Sequence, residues 1–234
     1  FCHKLIQKQG MTEESEEADI KLIPLFSSSN PSSYSLPDGS SIKLLASQHF
    51  NDGRKANQTL FADDVWPGSF VLSDHLCENA DLCKEKTILE ISAGIGLPSM
   101  VASRLLAKQI VITDYPDDII ERNIRFLLNE NNVEKTIFVP HKWGENIEEI
   151  TRISIKNSKK YDLILLAELL WKDTYELHDM LLLSVVQCLE KTGKIILALT
   201  HRETKDHKKE NDLEFLEKAN IKYNLHHKFI GTSN

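Results

Sequence analysis

Two glycines, Gly94 and Gly96, stand between two acids, Glu90 four residues before the first and Asp114 twenty residues after it. The run Ile88-Leu-Glu-Ile-Ser-Ala-Gly-Ile-Gly-Leu-Pro98 passes from apolar residues through an acid to small residues and then to a new apolar pattern. It reads as strand, tight turn and helix. Glycines remove the Cβ atoms that would keep a ligand from the turn, and the first amides of the following helix are left unpaired. A second β-rich run, Gln109 to Thr113, ends in Asp114. In a doubly wound sheet that acid lies at the carboxyl end of the neighbouring strand, where its carboxylate can accept both hydrogen bonds of a ribose diol. The pair of motifs fits an adenosine ligand.

Charge chooses among adenosine ligands. A dinucleotide turn calls for a third small residue at the position of Ser99, which is a partial match. Glu90, at the strand end before the turn, would repel a pyrophosphate and attract a cation, directly or through water. S-adenosylmethionine (SAM) carries an ammonium and a sulfonium and no phosphate, so it is favoured. NAD would use Asp114 equally well and stands as the alternative.

The elements that must hold these residues alternate regularly from about residue 59. Helices are expected near 68–80, 97–107, 117–130, 174–190 and 209–219, with strands at 87–92, 110–114, 136–141, 161–167, 194–200 and near 221–229. Such alternation predicts an α/β fold, a mostly parallel sheet with helices on both faces and ligands at the strand carboxyl ends. Each motif falls at such an end. Residues 1–58 read as an N-terminal extension ahead of the domain at 59–234. Its first ten residues and the acidic segment Thr12 to Asp19 look like a flexible start, with Met11 as the natural initiator. The Ser-rich run 27–35 reads as a surface loop, and Pro37-Asp-Gly39 as a hairpin turn.

Three tryptophans and one further acid sit near the same ends. Glu168 closes the apolar run Leu163 to Ala167, and Trp171 follows three residues on. A carboxylate can hold an incoming ammonium, and an indole face adds cation–π attraction of roughly 0.5–2 kcal/mol. The alternative is that Glu168 caps the following helix and Trp171 packs on it. Ala167 is small enough to allow close approach. Trp143 precedes Gly144, which lets the chain turn, and Trp66 precedes Pro67, which holds it extended at a helix start. Core packing is the alternative for both indoles.

Five blocks in order carry a resemblance: Val65-Trp-Pro-Gly68, Leu89 to Leu97, Thr113-Asp-Tyr-Pro116, Trp143-Gly144 and Asp162 to Trp171. Over residues 60–200 the chain resembles the seven-β-strand SAM-dependent methyltransferases, and within them methyltransferase family 16, which methylates protein lysines. It looks closest to the branch of fungal elongation-factor methyltransferases, once called nicotinamide-methyltransferase-like. The resemblance implies a Rossmann-like seven-stranded sandwich. It also implies a SAM site formed by Trp66, Glu90, Ser92, Ala93, Gly94, Gly96, Asp114, Tyr115, Trp143 and Ala167, with Trp143 beside the adenine and Trp66 closing one side. Glu168 and Trp171 would position the substrate amine. Two positions depart from the family pattern: Ser92 replaces its first glycine, and Glu168-x-x-Trp171 replaces Asp-x-x-Tyr/Phe. The family also ends in a two-stranded antiparallel hairpin. Here the sequence stops near the first of those strands, so the last is either absent or supplied in another way.

The implied reaction is methyl transfer from SAM to a lysine or N-terminal amine of a protein, such as a translation factor, leaving S-adenosylhomocysteine (SAH). At pH 7 deprotonating a lysine of pKa ~10.4 costs about 4–5 kcal/mol, and an α-amine of pKa ~8 about 1 kcal/mol. A small-molecule N-methyltransferase, a catalytically silent SAM-binding module and, more distantly, an NAD-dependent oxidoreductase are the competing readings. The net charge of −7 and the short, interrupted basic run Lys205 to Lys209 argue against nucleic acid and for a basic protein partner. Cysteines 2, 77, 83 and 188 form no CxxC pair, which fits reduced thiols in a cytoplasmic, also nuclear, monomer. No apolar run reaches the ~18–20 residues of a membrane span. The histidines, including His201, His207, His226 and His227, match no zinc spacing and read as surface residues.

Overall fold

Alternation along a strand sends neighbouring residues of one apolar run into two different cores. In the computed structural model, which describes residues 3–7, 31–44, 65–200 and 209–233, Ile88 of β4 (Thr87–Ile91) faces one core while Leu89 and Ile91 face the other. The same split recurs in β5 (Gln109–Asp114), β7 (Tyr161–Ala167) and β8 (Leu189–Thr200). Fully buried aliphatic side chains such as these contribute about 1.5–3 kcal/mol each.

The first core is closed by α1 (Pro67–Glu78), α2 (Leu97–Arg104) and α3 (Asp118–Glu130), through Leu72, Met100 and Ile124 among others. The second is closed by α4 (Glu148–Ile153), α5 (His178–Cys188) and α6 (Lys209–Tyr223), through Ile150, Leu181 and Phe215. With β6 (Thr136–Pro140), β1 (His3–Gln7) and β9 (Lys228–Ser233), the described strands form a seven-stranded sheet in the order β6-β5-β4-β7-β8-β1-β9. The five strands from β6 to β8 pair in parallel. The α/β architecture expected from the sequence is therefore present.

Residues 3–7, read from composition as a loose start outside the fold, instead lie antiparallel between β8 and β9. A strand in that slot has its backbone groups paired on both sides, which outweighs weak local propensity. A short helix, α4, has no counterpart among the expected elements. Met11, residues 27–30, the boundary near residue 59, and Cys2, His201, Lys205 and His207 lie outside the described residues.

The hairpin of β2 (Ser33–Ser35) and β3 (Ser41–Lys43) turns at Gly39, whose φ is +84°, while Asp38 accepts the Ser40 amide at 2.9 Å. Tyr34 donates its hydroxyl to Asp74 of α1 at 2.8 Å, and Lys43 and Asn131 exchange backbone and side-chain hydrogen bonds at 2.7 and 3.0 Å. The hairpin thus ties α1 to the end of α3. That matters because the N-terminus of α1 forms one wall of the site.

Candidate active site

The carboxyl ends of β4, β5 and β7 open onto one cleft of about 370 Å³, a volume within the ~300–1,000 Å³ of small-molecule sites. On one side is the turn after β4, where Ser92, Gly94 and Gly96 have φ of +53°, +55° and +74°. The Ala93 amide donates to the Thr113 carbonyl at 3.1 Å and draws the turn against β5. The Gly94 amide then donates to Oδ2 of Asp114 at 2.7 Å, and the Tyr115 amide to Oδ1 at 2.7 Å. Asp114 is 7% exposed. Burial pushes its carboxyl up to about 6, against the lowering by the two amides. Each carboxylate oxygen retains a second lone pair, so both can still accept from a diol.

Glu90 behaves differently from the expectation. It shares the face of Ile88 and points beneath the turn, where Oε2 accepts the Ser99 amide of α2 at 2.9 Å. It is 1% exposed and does not line the cleft, and Oε1 has no hydrogen-bond partner among the described residues. Burial pushes this carboxyl up to about 8, the Ser99 hydrogen bonds opposing it. A proton held more tightly in the folded than in the unfolded chain gives stability that is full below pH 4.5 and is lost as pH rises through about 8. Glu90→Gln should therefore melt several degrees above the parent at pH 8, at about 2–4 °C for each ~1 kcal/mol in a chain of this size, with a smaller gain at pH 5. Thermal denaturation at the two pH values checks this; an equal gain at both would mean that charge is not the cause.

The second wall follows β6. The His141 amide donates to the Asp114 carbonyl at 2.8 Å, and its imidazole Nε2 lies 3.0 Å from Ser184 Oγ on α5. The same hydroxyl accepts the Gly144 amide at 2.9 Å. Gly144 has φ +79°, and a Cβ there would stand 2.9 Å from Met180 Cβ. These contacts aim Trp143 at the turn, where its indole N–H donates to Ser92 Oγ at 2.8 Å.

The third wall is built around Glu168, at φ +58° and 7% exposed. Its amide donates to the Ala198 carbonyl at 2.8 Å, and its Oε1 accepts the Gly68 amide at 2.9 Å and the Thr200 hydroxyl. The carboxylate thus meets the N-terminus of α1, where a helix favours negative charge, rather than the helix that follows it. A Cβ on Gly68 would come 2.7 Å from Oε1 and 2.8 Å from Cγ, so only glycine fits without displacing this side chain. The rings of Trp66 and Trp171 stand 6.3 Å apart at 38°. Thr174 fixes the Trp171 loop by accepting the Trp171 amide at 3.2 Å and donating to the Leu169 carbonyl at 2.7 Å.

Trp66, Ser92, Ala93, Gly94, Asp114, Tyr115, Trp143, Ala167, Glu168 and Trp171 all line the one cleft, whereas Glu90 and Gly96 lie behind it and shape the turn. The sequence reading missed Ser69, His141, Lys142, Thr174, Leu177 and Met180 as lining residues. His141 was detectable as the residue two before Trp143, at the end of β6. Leu177, Met180 and Tyr115 are 40%, 46% and 55% exposed and rim the opening with apolar surface. Asp117 N-caps α3 by accepting the Ile119 and Ile120 amides at 2.8 and 3.4 Å.

Known proteins are similar to this chain in sequence and in fold. A protein N-terminal and lysine N-methyltransferase of Candida glabrata is 32% identical over 158 residues, covering 65% of this chain and 59% of that protein. Its namesake in Schizosaccharomyces pombe is 29% identical over 171 residues, covering 70% of this chain and 64% of that one. The chain thus spans about three-fifths of the length of the curated relatives it matches. A solved structure from Streptococcus mutans, assigned to the SAM-dependent methyltransferases, covers 85% of this chain and 49% of its own at TM-score 0.52 and 15% identity, a likeness of fold. The family described as lysine methyltransferase matches residues 52–222, which include every wall of the cleft, and the chain belongs to that family.

Proposed function

We propose that this protein transfers a methyl group from SAM to a lysine or N-terminal amine of a protein. The observation that carries the reading is the convergence of three strand ends on one cleft, with Gly94 and Asp114 on one side and Glu168, Trp66 and Trp171 on another. The donor chemistry fits the residues present: Asp114 offers acceptors to a ribose diol, and Glu168 offers a negative charge that suits an ammonium and not a pyrophosphate. SAM, when bound, supplies a methyl carbon already activated by its sulfonium. Asp114, the Gly94 turn and Trp143 would hold the donor. Glu168 would hold the ammonium, with Trp66 and Trp171 excluding water, and the amine must lose its proton before it attacks. The relatives are named for N-terminal and lysine methylation, and the same pair of substrates is proposed here. A translation factor is the expected partner, met in the cytoplasm and nucleus by a monomeric enzyme.

Tritiated SAM added to a cell lysate with the recombinant protein should label a discrete protein band, and mass spectrometry should place the methyl group on a lysine or an α-amine. Label confined to small molecules would favour the small-molecule alternative. SAH binding without any transfer would favour a silent module. Micromolar binding of NAD with none of SAM or SAH would refute the reading altogether.

A further inference from the structure

Ser92 occupies a backbone conformation that glycine enters freely and other residues seldom adopt, with φ +53°. It also replaces the glycine of the family pattern. A serine here raises the energy of the turn unless its hydroxyl gains a partner that glycine could not supply. Trp143 is that partner: Ser92 Oγ accepts its indole N–H at 2.8 Å across 51 residues of sequence. Both residues line the cleft, Ser92 at the end of β4 and Trp143 after β6. The inner strand β4 and the edge strand β6, which β5 separates, are therefore linked at their carboxyl ends by one side-chain hydrogen bond beside the donor site.

We infer that Ser92 is a positioning residue, which latches the Trp143 indole in place as a preformed wall for the methyl donor. The latch deepens the proposed methyltransferase reading and rests on it. The rest of the geometry agrees. Gly144 follows the indole at φ +79°, and its amide is held by Ser184, so the backbone on the far side of Trp143 is fixed independently. What Ser92 adds is the orientation of the ring. An indole nitrogen can only donate, so the hydroxyl must accept, which leaves the hydroxyl proton able to reach a ligand atom. A wall oriented before binding spares the ordering of a large side chain at the moment of binding.

The test compares the parent with Ser92→Gly, Trp143→Phe and the double variant. The chain contains three tryptophans, so the indole N–H region of a ¹⁵N-correlated spectrum holds three signals, and the one missing from Trp143→Phe identifies Trp143. In Ser92→Gly that signal should move and its hydrogen exchange should accelerate, with the other two unchanged. Although glycine relieves the backbone at this position, SAH affinity by calorimetry should fall about five- to tenfold, the size of one net hydrogen bond. The double variant should bind no worse than the weaker single variant, because both break the same contact. An unmoved Trp143 signal, or a Ser92→Gly variant that binds SAH as tightly as the parent, overturns the latch. A parent that shows the latched indole signal but binds neither SAM nor SAH would instead overturn the donor site, and the latch's assigned purpose with it.

Discussion

Asp114→Ala should lose measurable binding of SAM and SAH. The carboxylate offers acceptors to a ribose diol, and charge-assisted hydrogen bonds contribute about 1.5–3 kcal/mol each. Two of them amount to roughly 3–6 kcal/mol, which at ~1.4 kcal/mol per decade is at least about a hundredfold. The same side chain holds the Gly94 and Tyr115 amides at 2.7 Å, so alanine also leaves two donors without partners and loosens the turn. Asp114→Asn separates the two effects, since its one carbonyl oxygen can still receive one amide while its NH₂ opposes the other. It should bind SAH about tenfold or more weakly, with a smaller fall in melting temperature than alanine causes. A pH titration gives a third readout. Burial holds the Asp114 carboxyl at about 6, and the ionised form is the better acceptor, so parental affinity should be full above that pH and decline below it. Calorimetry from pH 5 to 8 measures this directly; an asparagine variant with parental affinity and no pH dependence would remove Asp114 from the donor site.

What the sequence could reveal depended on whether a residue's role is local. The strand ends, the glycine turn and Asp114 were legible because apolar periodicity and positive-φ chemistry act over a few residues. Trp66-Pro67 is of the same kind: the extended backbone before proline and the helix start after it follow from two adjacent residues, and Trp66 is observed at φ −77°, ψ 146° with Pro67 opening α1. Glu90 was legible as an acid at a strand end but not in its direction. That depends on which face of β4 meets α2, and an odd or even register decides it. His141 was legible by its place two residues before Trp143, but its burial was not, because that comes from α5, which is distant in sequence. The strand at residues 3–7 is the extreme case. Nothing local marks it, and its pairing partners, residues 196–200 and 228–233, lie at the other end of the chain.

Ser92 shows how a departure from a family pattern becomes intelligible once the partner is seen. Read alone, it adds a hydroxymethyl group to a glycine position. Beside Trp143 it gains a hydrogen bond that glycine could not make. Glu168 follows the same logic. Its extra methylene relative to aspartate lets the carboxylate reach across to the Gly68 amide on α1 and the Thr200 hydroxyl on β8, so that three elements converge on one charged group. The glycine at 68 is the complementary feature, since any side chain there would collide with that carboxylate.

The convergence makes Glu168→Gln the variant with the sharpest consequence for transfer. Glutamine keeps an oxygen for the Gly68 and Thr200 donors, so the wall should stand, but it removes the negative charge offered to the substrate ammonium. Losing one charge-assisted contact of about 1.5–3 kcal/mol should lower kcat/KM about 10- to 150-fold. SAH affinity should stay within about threefold of the parent, a difference below ~0.7 kcal/mol. Gly68→Ala should reach a similar loss of transfer by a different route. Its Cβ would stand 2.7 Å from Glu168 Oε1, and relieving that overlap costs about 1–3 kcal/mol and moves the carboxylate. This variant should therefore melt several degrees lower while Glu168→Gln melts close to the parent. Single-turnover transfer to the labelled substrate, calorimetry with SAH and thermal denaturation together separate the possibilities. A Glu168→Gln variant that transfers at the parental rate would show that the amine is held elsewhere, and the donor cleft around Asp114 would remain as it is.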